Sequence, residues 1–255
     1  MKSISDNNKE CFKPEGFTGH KVIELLGKSG LEIREDEFVS LVSKKLNGNP
    51  FALLVAVILS QNTTDKAAIY AYTRLHKLLR GNITPKRVIE LGPELIELPI
   101  RPAGLSSQKS KWIVEVAKCI QELGGEKILV ELPPEELRRI LKKMPGIGKK
   151  TLDVFLSQMR REKVFAVDTH AKRISQRWCL TKSNNYKKIS RALTEFFEGE
   201  DLVRAHKLVI ALGRKWCTAR NPKCKECPLR EICPYAAQHS LSTTKLEKSI
   251  GQSKK

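Results

Sequence analysis

Four cysteines with close spacing offer the clearest chemistry in the sequence. Cys217, Cys224, Cys227 and Cys233 are separated by six, two and five residues. Thiolates gathered at such spacing repel one another unless cations neutralise them, so the pattern predicts a metal centre. Zinc and a [4Fe–4S] cluster both accept four cysteines, but zinc sites usually contain two closely spaced pairs and this sequence has one. The spacing favours iron–sulfur, with zinc and unliganded thiols as the alternatives.

The other cysteines, Cys11, Cys119 and Cys179, are isolated, and we expect free thiols that pack as small hydrophobic residues. Between the first two predicted ligands, the segment TARNPK contains Arg220 and Lys223. A loop that directs these side chains outward could contact phosphates, and ordinary solvation of both charges is the alternative.

Two adjacent lysines follow a glycine-containing turn in the segment MPGIGKKTLDVF, residues 144–155. Gly146 and Gly148 permit a tight turn and leave the backbone uncovered. A helix that opens at Lys149 presents free N–H groups and the positive end of its dipole, which together bind anions. A phosphate would offset the unfavourable position of Lys149 and Lys150 at this end of a helix. We therefore predict a grip on the nucleic-acid backbone.

Helical geometry separates the two lysines. Lys149 lies on the shoulder of the apolar stripe of this helix, and Lys150 lies on the opposite face together with Ser157. The side chain of Lys150 then points toward solvent or toward a cleft. The residues that define the stripe are Leu152, Phe155, Leu156 and Met159.

An aspartate ends the apolar run in VFAVDTHAKRI, residues 164–174. Asp168 precedes a predicted helix and suits an N-cap. The chain could also return after one helix and a turn, which would bring this carboxylate to the amine of Lys150. Spacing leaves both roles open, and they are compatible.

The composition indicates a basic protein with a polyanionic partner. The chain of 255 residues has 47 Lys and Arg against 28 Asp and Glu, a formal charge of +19. This excess favours nucleic acid first and an anionic membrane surface second, with a lysine-rich proteome as the trivial explanation. The first residues lack the apolar segment of a signal peptide, and the nine-residue run FALLVAVIL is too short to span a membrane. We expect a cytoplasmic protein, associated with the nucleoid if prokaryotic.

The secondary structure that carries these residues is predicted to be helical throughout. Gly and Pro separate one amphipathic segment from the next, and only residues 163–167 suggest a short extended piece. The predicted ends 1–15 and 239–255 are polar and disordered. The predicted helices span 21–29, 35–46, 51–60, 65–80, 85–91, 109–123, 134–143, 149–159, 169–178, 185–198 and 201–213.

These segments together closely resemble the endonuclease III group of helix-hairpin-helix DNA glycosylases. The resemblance rests on LKKMPGIGKKTLDVFL, FAVDTHAKRI, NPFALLVAVILSQNTTD and the cysteine spacing, and it covers roughly residues 20–235. It implies two helical lobes with a DNA-binding cleft between them. One is a helical-barrel lobe with the hairpin, residues 43–162, and the other is an iron–sulfur lobe, residues 16–42 plus 163–238. It also implies a [4Fe–4S] cluster on the four cysteines.

The resemblance also implies roles for single residues. The motif makes Lys150 the catalytic lysine and Asp168 the catalytic aspartate. The bacterial segment resembles LSAQATD, whereas this chain has LSQNTTD. Asn62 therefore falls where a glutamine fills the gap left by a flipped nucleotide, and Gln61 precedes it. The resemblance implies that both residues bind DNA. Leu105 falls where the family uses an apolar wedge, and a buried loop leucine is the alternative.

The implied function is that of a bifunctional DNA glycosylase and AP lyase of base excision repair. Such an enzyme removes oxidised pyrimidines from double-stranded DNA and cleaves the strand 3′ to the abasic site by β-elimination, through a Schiff base on a lysine. We expect it to act as a monomer with no membrane partner. The alternatives are a monofunctional mismatch glycosylase, against which Lys150 argues, and a non-catalytic iron–sulfur DNA-binding protein.

Overall fold

The computed structural model describes residues 14–238, and all the regular structure in that range is helical. The all-α prediction is therefore confirmed for these residues, and residues 163–167 form no strand. The predicted disordered ends lie outside the described residues, apart from positions 14 and 15. The α-helices are α1 (Gly19–Lys28), α2 (Val39–Leu46), α3 (Pro50–Leu59), α4 (Asp65–Leu78), α5 (Pro85–Ile100), α6 (Ser106–Glu122), α7 (Ile128–Glu131), α8 (Pro134–Leu141), α9 (Lys149–Arg160), α10 (Thr169–Arg177), α11 (Tyr186–Phe196) and α12 (Leu202–Lys215).

The chain divides into two compact units. One is Ile33–Lys163, which we call the hairpin unit. The other, which we call the cysteine unit, consists of the described parts of Met1–Glu32 and Val164–Lys255. The predicted lobe boundaries, 43–162 and 16–42 plus 163–238, stay predictions.

Helix α3 forms the centre of the hairpin unit. Its residues from Phe51 to Leu59 are all buried, because α2, α4, α6, α7 and α9 pack around it. A helix that is apolar on every side has to be enclosed in this way. The helix starts at Pro50, a favourable first position, and the side chain of Asn49 caps it by accepting a hydrogen bond from the N–H of Ala52 at 2.6 Å.

Helix α5 is longer than the sequence suggests. The prediction ended it at residue 91, but the helix resumes after a break at Gly92, where φ is +75°, and continues to Ile100. Pro93 and Pro99 look like helix breakers in the sequence. Pro93 instead occupies the start of the second segment, where its missing N–H costs nothing.

Helix α9 is enclosed on more sides than its apolar stripe predicts. Leu152, Phe155 and Leu156 are buried as expected. Ser157 lies on the face opposite the stripe but is only 7% exposed, and Asp153 is also buried. Both α3 and α8 pack against α9, so polar residues outside the stripe are covered as well.

The cysteine unit has an aromatic core. Helix α12 packs against α1 and α10, and α10 packs against α11. The rings of Phe17, Trp178 and Phe196 contact one another, with the centroids of Phe17 and Phe196 5.1 Å apart, and Phe197 joins them 5.0 Å from Phe196. The few aromatic residues of the chain are thus used where these helices meet.

Across residues 14–238, every helix is too short or too polar to cross a membrane.

Candidate functional site

The turn between α8 and α9 is fixed to the hairpin unit by both its side chains and its shape. Met144 and Ile147 are buried, 7% and 5% exposed, and anchor the turn to the core. Gly146 has φ of +74°, and a Cβ there would lie 2.6 Å from the indole of Trp112. Gly148 has φ of −80° and open space where a Cβ would be. Only Gly146 therefore needs to be glycine for the turn itself, and Gly148 leaves the backbone uncovered.

The two lysines occupy the first positions of α9, as predicted from the sequence. Lys149 and Lys150 are both exposed. Gly148 is the N-cap, and among the described residues no side chain caps this end of the helix. The first N–H groups of α9 and two lysine amines are thus available to an anion.

Arg138 braces the two helices of the hairpin. It lies on α8 and donates hydrogen bonds to Asp153 Oδ1 on α9 and to Glu162 Oε2 just beyond α9, each at 2.6 Å. The Asp153 side chain is only 6% exposed, so its carboxylate depends on partners within the protein. The sequence analysis missed this brace, because nothing in the sequence pairs Arg138 with residues so far along the chain.

The side chain of Gln61 connects the turn after α3 to the hairpin. Its Nε2 donates to the carbonyl of Gly146 at 2.7 Å and contacts Thr151 Oγ1 at 3.0 Å. Thr151 directly follows Lys150. The amide nitrogen of Gln61 is therefore engaged inside the protein, at the predicted DNA-binding residue Gly146 and next to the predicted catalytic residue Lys150.

Lys109 is a buried cation in the same region. It is 0% exposed, and its Nζ donates to the carbonyls of Leu59, Gln61 and Ala103 at 2.9, 2.7 and 2.8 Å. Burial lowers its pKa to about 8, and the carbonyls oppose this change because they bind the charged form. The sequence contained a signal for Lys109 that was missed, since it shares the buried face of α6 with Ile113.

Two residues with left-handed backbone conformation project from the turns that Lys109 joins. Asn62 has φ of +51° and is exposed. Leu105 also has φ of +51°, follows Gly104 and is 53% exposed. The alternative that Leu105 is a buried loop residue is wrong. An apolar side chain held out in a strained conformation fits a contact surface, because strain of this kind concentrates at functional sites.

Asp168 lies in the cysteine unit, whereas Lys150 lies in the hairpin unit. It is the N-cap of α10, and its Oδ1 accepts a hydrogen bond from the N–H of Ala171 at 2.7 Å. The capping role considered from the sequence is therefore present. The carboxylate is half-buried, so part of it stays accessible.

The four clustered cysteines line one cavity in the cysteine unit. Arg177 on α10 donates to Cys217 Sγ at 3.1 Å. Burial, together with the charges of the neighbouring thiols, raises the pKa of Cys224 and Cys233, and it raises that of Cys227 to about 12. Gathered thiolates are thus unfavourable unless cations neutralise them. The rest of the lining is largely apolar and includes Trp178, Leu212, Trp216, Leu229 and Ala236.

The donor set fits an iron–sulfur cluster. Four cysteine thiols line one shared cavity, and [4Fe–4S] clusters are held by four cysteine thiolates.

The segment 217–233, which we call the cysteine loop, has its basic residues on the surface. Arg220 and Lys223 are exposed. The hydroxyl of Thr218 donates to the carbonyl of Arg220 at 2.8 Å, and the N–H of Lys223 donates to the carbonyl of Trp216 at 2.8 Å. The backbone on both sides of this basic segment is thus held in place.

The isolated cysteines behave differently from one another. Cys119 is a half-buried free thiol, as predicted. Cys179 is disulfide-bonded, so the prediction of a free thiol there is wrong. Sequence spacing alone cannot reveal such a pairing. Cys11 lies outside the described residues.

Comparisons with known proteins assign the class. Residues 55–199 match the family described as HhH-GPD superfamily base excision DNA repair protein. Residues 217–233, which begin and end at clustered cysteines, match the iron-sulfur binding domain of endonuclease III. The helical fold and the cysteine site together thus define a base-excision repair protein of the helix-hairpin-helix class with an iron–sulfur domain.

The relatives narrow this class. Endonuclease III of Sulfolobus acidocaldarius is 40% identical over 205 residues, which cover 80% of this chain and 90% of that protein. Endonuclease III of Escherichia coli K12 is 31% identical over 73% of this chain and 84% of its own length. A trapped endonuclease III–DNA covalent intermediate has a TM-score of 0.68 at 28% identity and covers 88% of this chain and 99% of its own. This chain belongs to the endonuclease III family, and its cofactor is a [4Fe–4S] cluster.

Proposed function

We propose that this protein is a DNA glycosylase and AP lyase that removes oxidised pyrimidines and then cuts the strand 3′ to the abasic site. The observation that carries the proposal is the exposed Lys150 at the uncapped start of α9, within the matched repair domain. A solved structure with the same fold is a covalent endonuclease III–DNA intermediate. Formation of such an intermediate requires a nucleophile on the enzyme.

Binding begins with the backbone of double-stranded DNA. The N–H groups at Gly146 and Gly148 receive one phosphate, and Lys149 adds its charge. Arg220 and Lys223 contact phosphates from the cysteine unit. These contacts carry no sequence information, which suits an enzyme that must find damage in any sequence. One chain supplies every residue named, so the enzyme acts as a monomer.

The damaged nucleotide then leaves the base stack, at a cost of a few kcal/mol. Leu105 enters between base steps as an apolar wedge, and Asn62 fills the space that the nucleotide vacates. Both side chains are exposed and project from rigid turns. Wedge and filler offset the cost of unstacking because they replace the lost base contacts.

The amine of Lys150 attacks C1′ of the sugar, and the bond from C1′ to the base breaks. The amine attacks in its neutral form, because only that form carries the free electron pair of a nucleophile. Asp168 stabilises the positive charge that develops on the sugar. The departing base takes up a proton, and the nitrogen bound to C1′ loses one. The C1′–O4′ bond then breaks, which opens the sugar ring, protonates O4′ and leaves a Schiff base between Lys150 and C1′. This Schiff base loses a proton from C2′, the bond from C3′ to its phosphate oxygen breaks, and the 3′ phosphate leaves by β-elimination.

The thiols of Cys217, Cys224, Cys227 and Cys233 hold the cluster. When bound, the cluster supplies cations that neutralise these sulfurs and cross-link the loop. The loop then presents Arg220 and Lys223 in a fixed arrangement toward DNA.

Borohydride trapping on a duplex with an oxidised pyrimidine tests the proposal. Wild-type protein should form a covalent adduct and nick the strand, whereas Lys150→Ala should form none. Lys149→Ala is the matched control, because it removes the neighbouring amine from the same helix end and should still trap. Base release by wild-type protein without an adduct or a nick would mean a monofunctional glycosylase. Tight binding with no base release would mean a non-catalytic DNA-binding protein.

A further inference from the structure

The hydrogen bonds of Lys109 and Gln61 connect the three segments that we assign to the DNA interface of the hairpin unit. We propose that these two residues are positioning residues, which hold the Asn62 turn, the Leu105 turn and the hairpin in one arrangement so that nucleotide extrusion delivers C1′ to Lys150. This inference rests on the proposed function. Neither residue touches the reacting atoms, and the effect of each is exerted through the segment it fixes.

The first connection is the amine of Lys109, which joins two turns that are distant in sequence. Its Nζ binds the carbonyls of Leu59 and Gln61 at the end of α3, and the carbonyl of Ala103 just before Leu105. The last carbonyls of a helix lack partners within the helix and carry the negative end of its dipole. A buried ammonium group satisfies them, and in doing so it fixes the Asn62 turn relative to the Leu105 turn.

The second connection is the side chain of Gln61, which links the Asn62 turn to the hairpin. Its amide reaches the carbonyl of Gly146 at 2.7 Å and the hydroxyl of Thr151 at 3.0 Å. Gly146 belongs to the predicted phosphate grip, and Thr151 follows the predicted nucleophile. Since Lys109 binds the backbone carbonyl of Gln61 and the side chain of Gln61 binds the hairpin, the two residues form one continuous chain of hydrogen bonds.

A third contact, between the ring of Trp112 and Gly146, also joins α6 to the hairpin. Trp112 lies one turn after Lys109 on α6, and its ring packs against Gly146 so closely that a Cβ there would approach to 2.6 Å. Helix α6 thus holds the hairpin directly through Trp112 and indirectly through Lys109 and Gln61. Two independent routes between the same helix and the same turn restrict sliding as well as separation.

A role in stability alone is the competing explanation, and the two residues differ in how well they separate it from positioning. Lys109 is fully buried, so its replacement by Met leaves three carbonyls without a partner and can prevent folding. Gln61 is only half-buried, so water can replace part of what Gln61→Leu removes. We therefore expect Gln61→Leu to fold with a melting temperature within about 4 °C of wild type.

The decisive experiment compares Gln61→Leu with Gln121→Leu, a control that removes an exposed glutamine from α6. Three quantities are measured for each: the affinity for undamaged duplex, the fluorescence rise of 2-aminopurine placed beside an oxidised pyrimidine, and the single-turnover rate of borohydride trapping. For Gln61→Leu we expect binding within about twofold of wild type. Extrusion and trapping should both slow by roughly tenfold or more, because small misplacements of reacting groups are costly.

Hydrogen exchange supplies the structural readout. In Gln61→Leu the amides from Gly146 to Thr151 should exchange faster than in wild type and in Gln121→Leu, while amides in the core of α3 stay protected. Extrusion and trapping at wild-type rates in a folded Gln61→Leu would overturn the proposal. So would a loss that follows the drop in melting temperature alone. Failure of the wild-type protein to trap would instead refute the proposed lyase activity, and the fluorescence and exchange arms would still test positioning.

Discussion

The hairpin turn and the cysteine loop present basic residues in the same way but are ordered by different means. The hairpin, between α8 and α9, exposes Lys149 and Lys150 above buried Met144 and Ile147. The cysteine loop, residues 217–233, exposes Arg220 and Lys223. Over that stretch Leu229 is the buried hydrophobic residue, and the four thiols face a cavity.

Two similar basic surfaces of one protein can therefore be ordered by different components. The hairpin is held by side chains of its own unit, namely the amide of Gln61 and the ring of Trp112. The loop has few apolar anchors, and its thiols are costly to gather without cations. The hairpin should therefore persist in the apoprotein, and the loop should not.

The largest effect should come from removing the cluster. Replacement of Cys227 by Ala deletes one ligand, so we expect loss of the brown iron–sulfur absorbance and destabilisation of the cysteine unit by more than about 4 kcal/mol. Limited trypsin digestion should then cleave after Arg220 and Lys223. Cys119→Ala is the control, because Cys119 is a free thiol in the other unit. If the hairpin of Cys227→Ala lost as much hydrogen-exchange protection as the cysteine loop, the two regions would not be ordered independently.

A smaller but still large effect should follow from Gly146→Ala. The new Cβ would meet the Trp112 ring at 2.6 Å in a backbone conformation with φ of +74°. Overpacking and left-handed strain together should cost roughly 2–4 kcal/mol in the free energy of unfolding, measured by urea denaturation. Gly148 has φ of −80° and open space where a Cβ would lie, so Gly148→Ala should cost at most about 1 kcal/mol, the cost of alanine in place of glycine at an N-cap. Similar costs for the two variants would contradict this account of the turn.

Arg138→Met should have a moderate effect. The substitution leaves the carboxylate of Asp153, which is 6% exposed, without one of its partners. Because Arg138 is itself 29% exposed, water compensates in part, and we expect a loss of about 1–3 kcal/mol in urea denaturation. Arg139→Met, at the exposed neighbour on α8, should be nearly neutral. An unchanged stability for Arg138→Met would mean that the hydrogen bonds of Arg138 do not help to order the hairpin.

The smallest effects concern the exposed basic residues themselves. Arg220→Ala and Lys149→Ala should each weaken binding to undamaged duplex a few-fold and reduce the slope of log affinity against log salt by about 1. Lys118→Ala, at an exposed lysine paired with Glu115, is the control and should leave the slope unchanged. A change at one site only would show that the hairpin and the cysteine loop are not equivalent in holding DNA.

The sequence carried the features that depend on local pattern. The helices around Lys149 and Asp168 begin within one residue of their predicted starts, because apolar periodicity, glycine and capping residues act over short distances. The cysteine spacing favoured iron–sulfur over zinc for the same reason, since the ligands lie close together in the chain, and the family resemblance then implied a [4Fe–4S] cluster. Asn62, Leu105 and the pair of lysines came from motifs that are contiguous in sequence.

What the sequence did not reveal depends on contacts between distant segments. Gln61 was assigned to DNA by its place in a motif, yet its amide nitrogen reaches Gly146 and Thr151, more than eighty positions further on. The brace by Arg138 has the same character. Lysine is mostly a surface residue, so sequence alone gives Lys109 no special weight, although it shares a helix face with buried residues.

Because Lys109 is buried, its amine should be chemically unreactive in the folded protein. With 0% of its surface exposed and its protons engaged by three carbonyls, Lys109 should resist acylation and reductive methylation while the exposed lysines react. Peptide mapping after brief labelling of the native protein would leave this position unmodified. The time at which Lys109 first appears among the modified peptides would report the opening of the hairpin unit, and the protein would need no engineered substitution for this measurement.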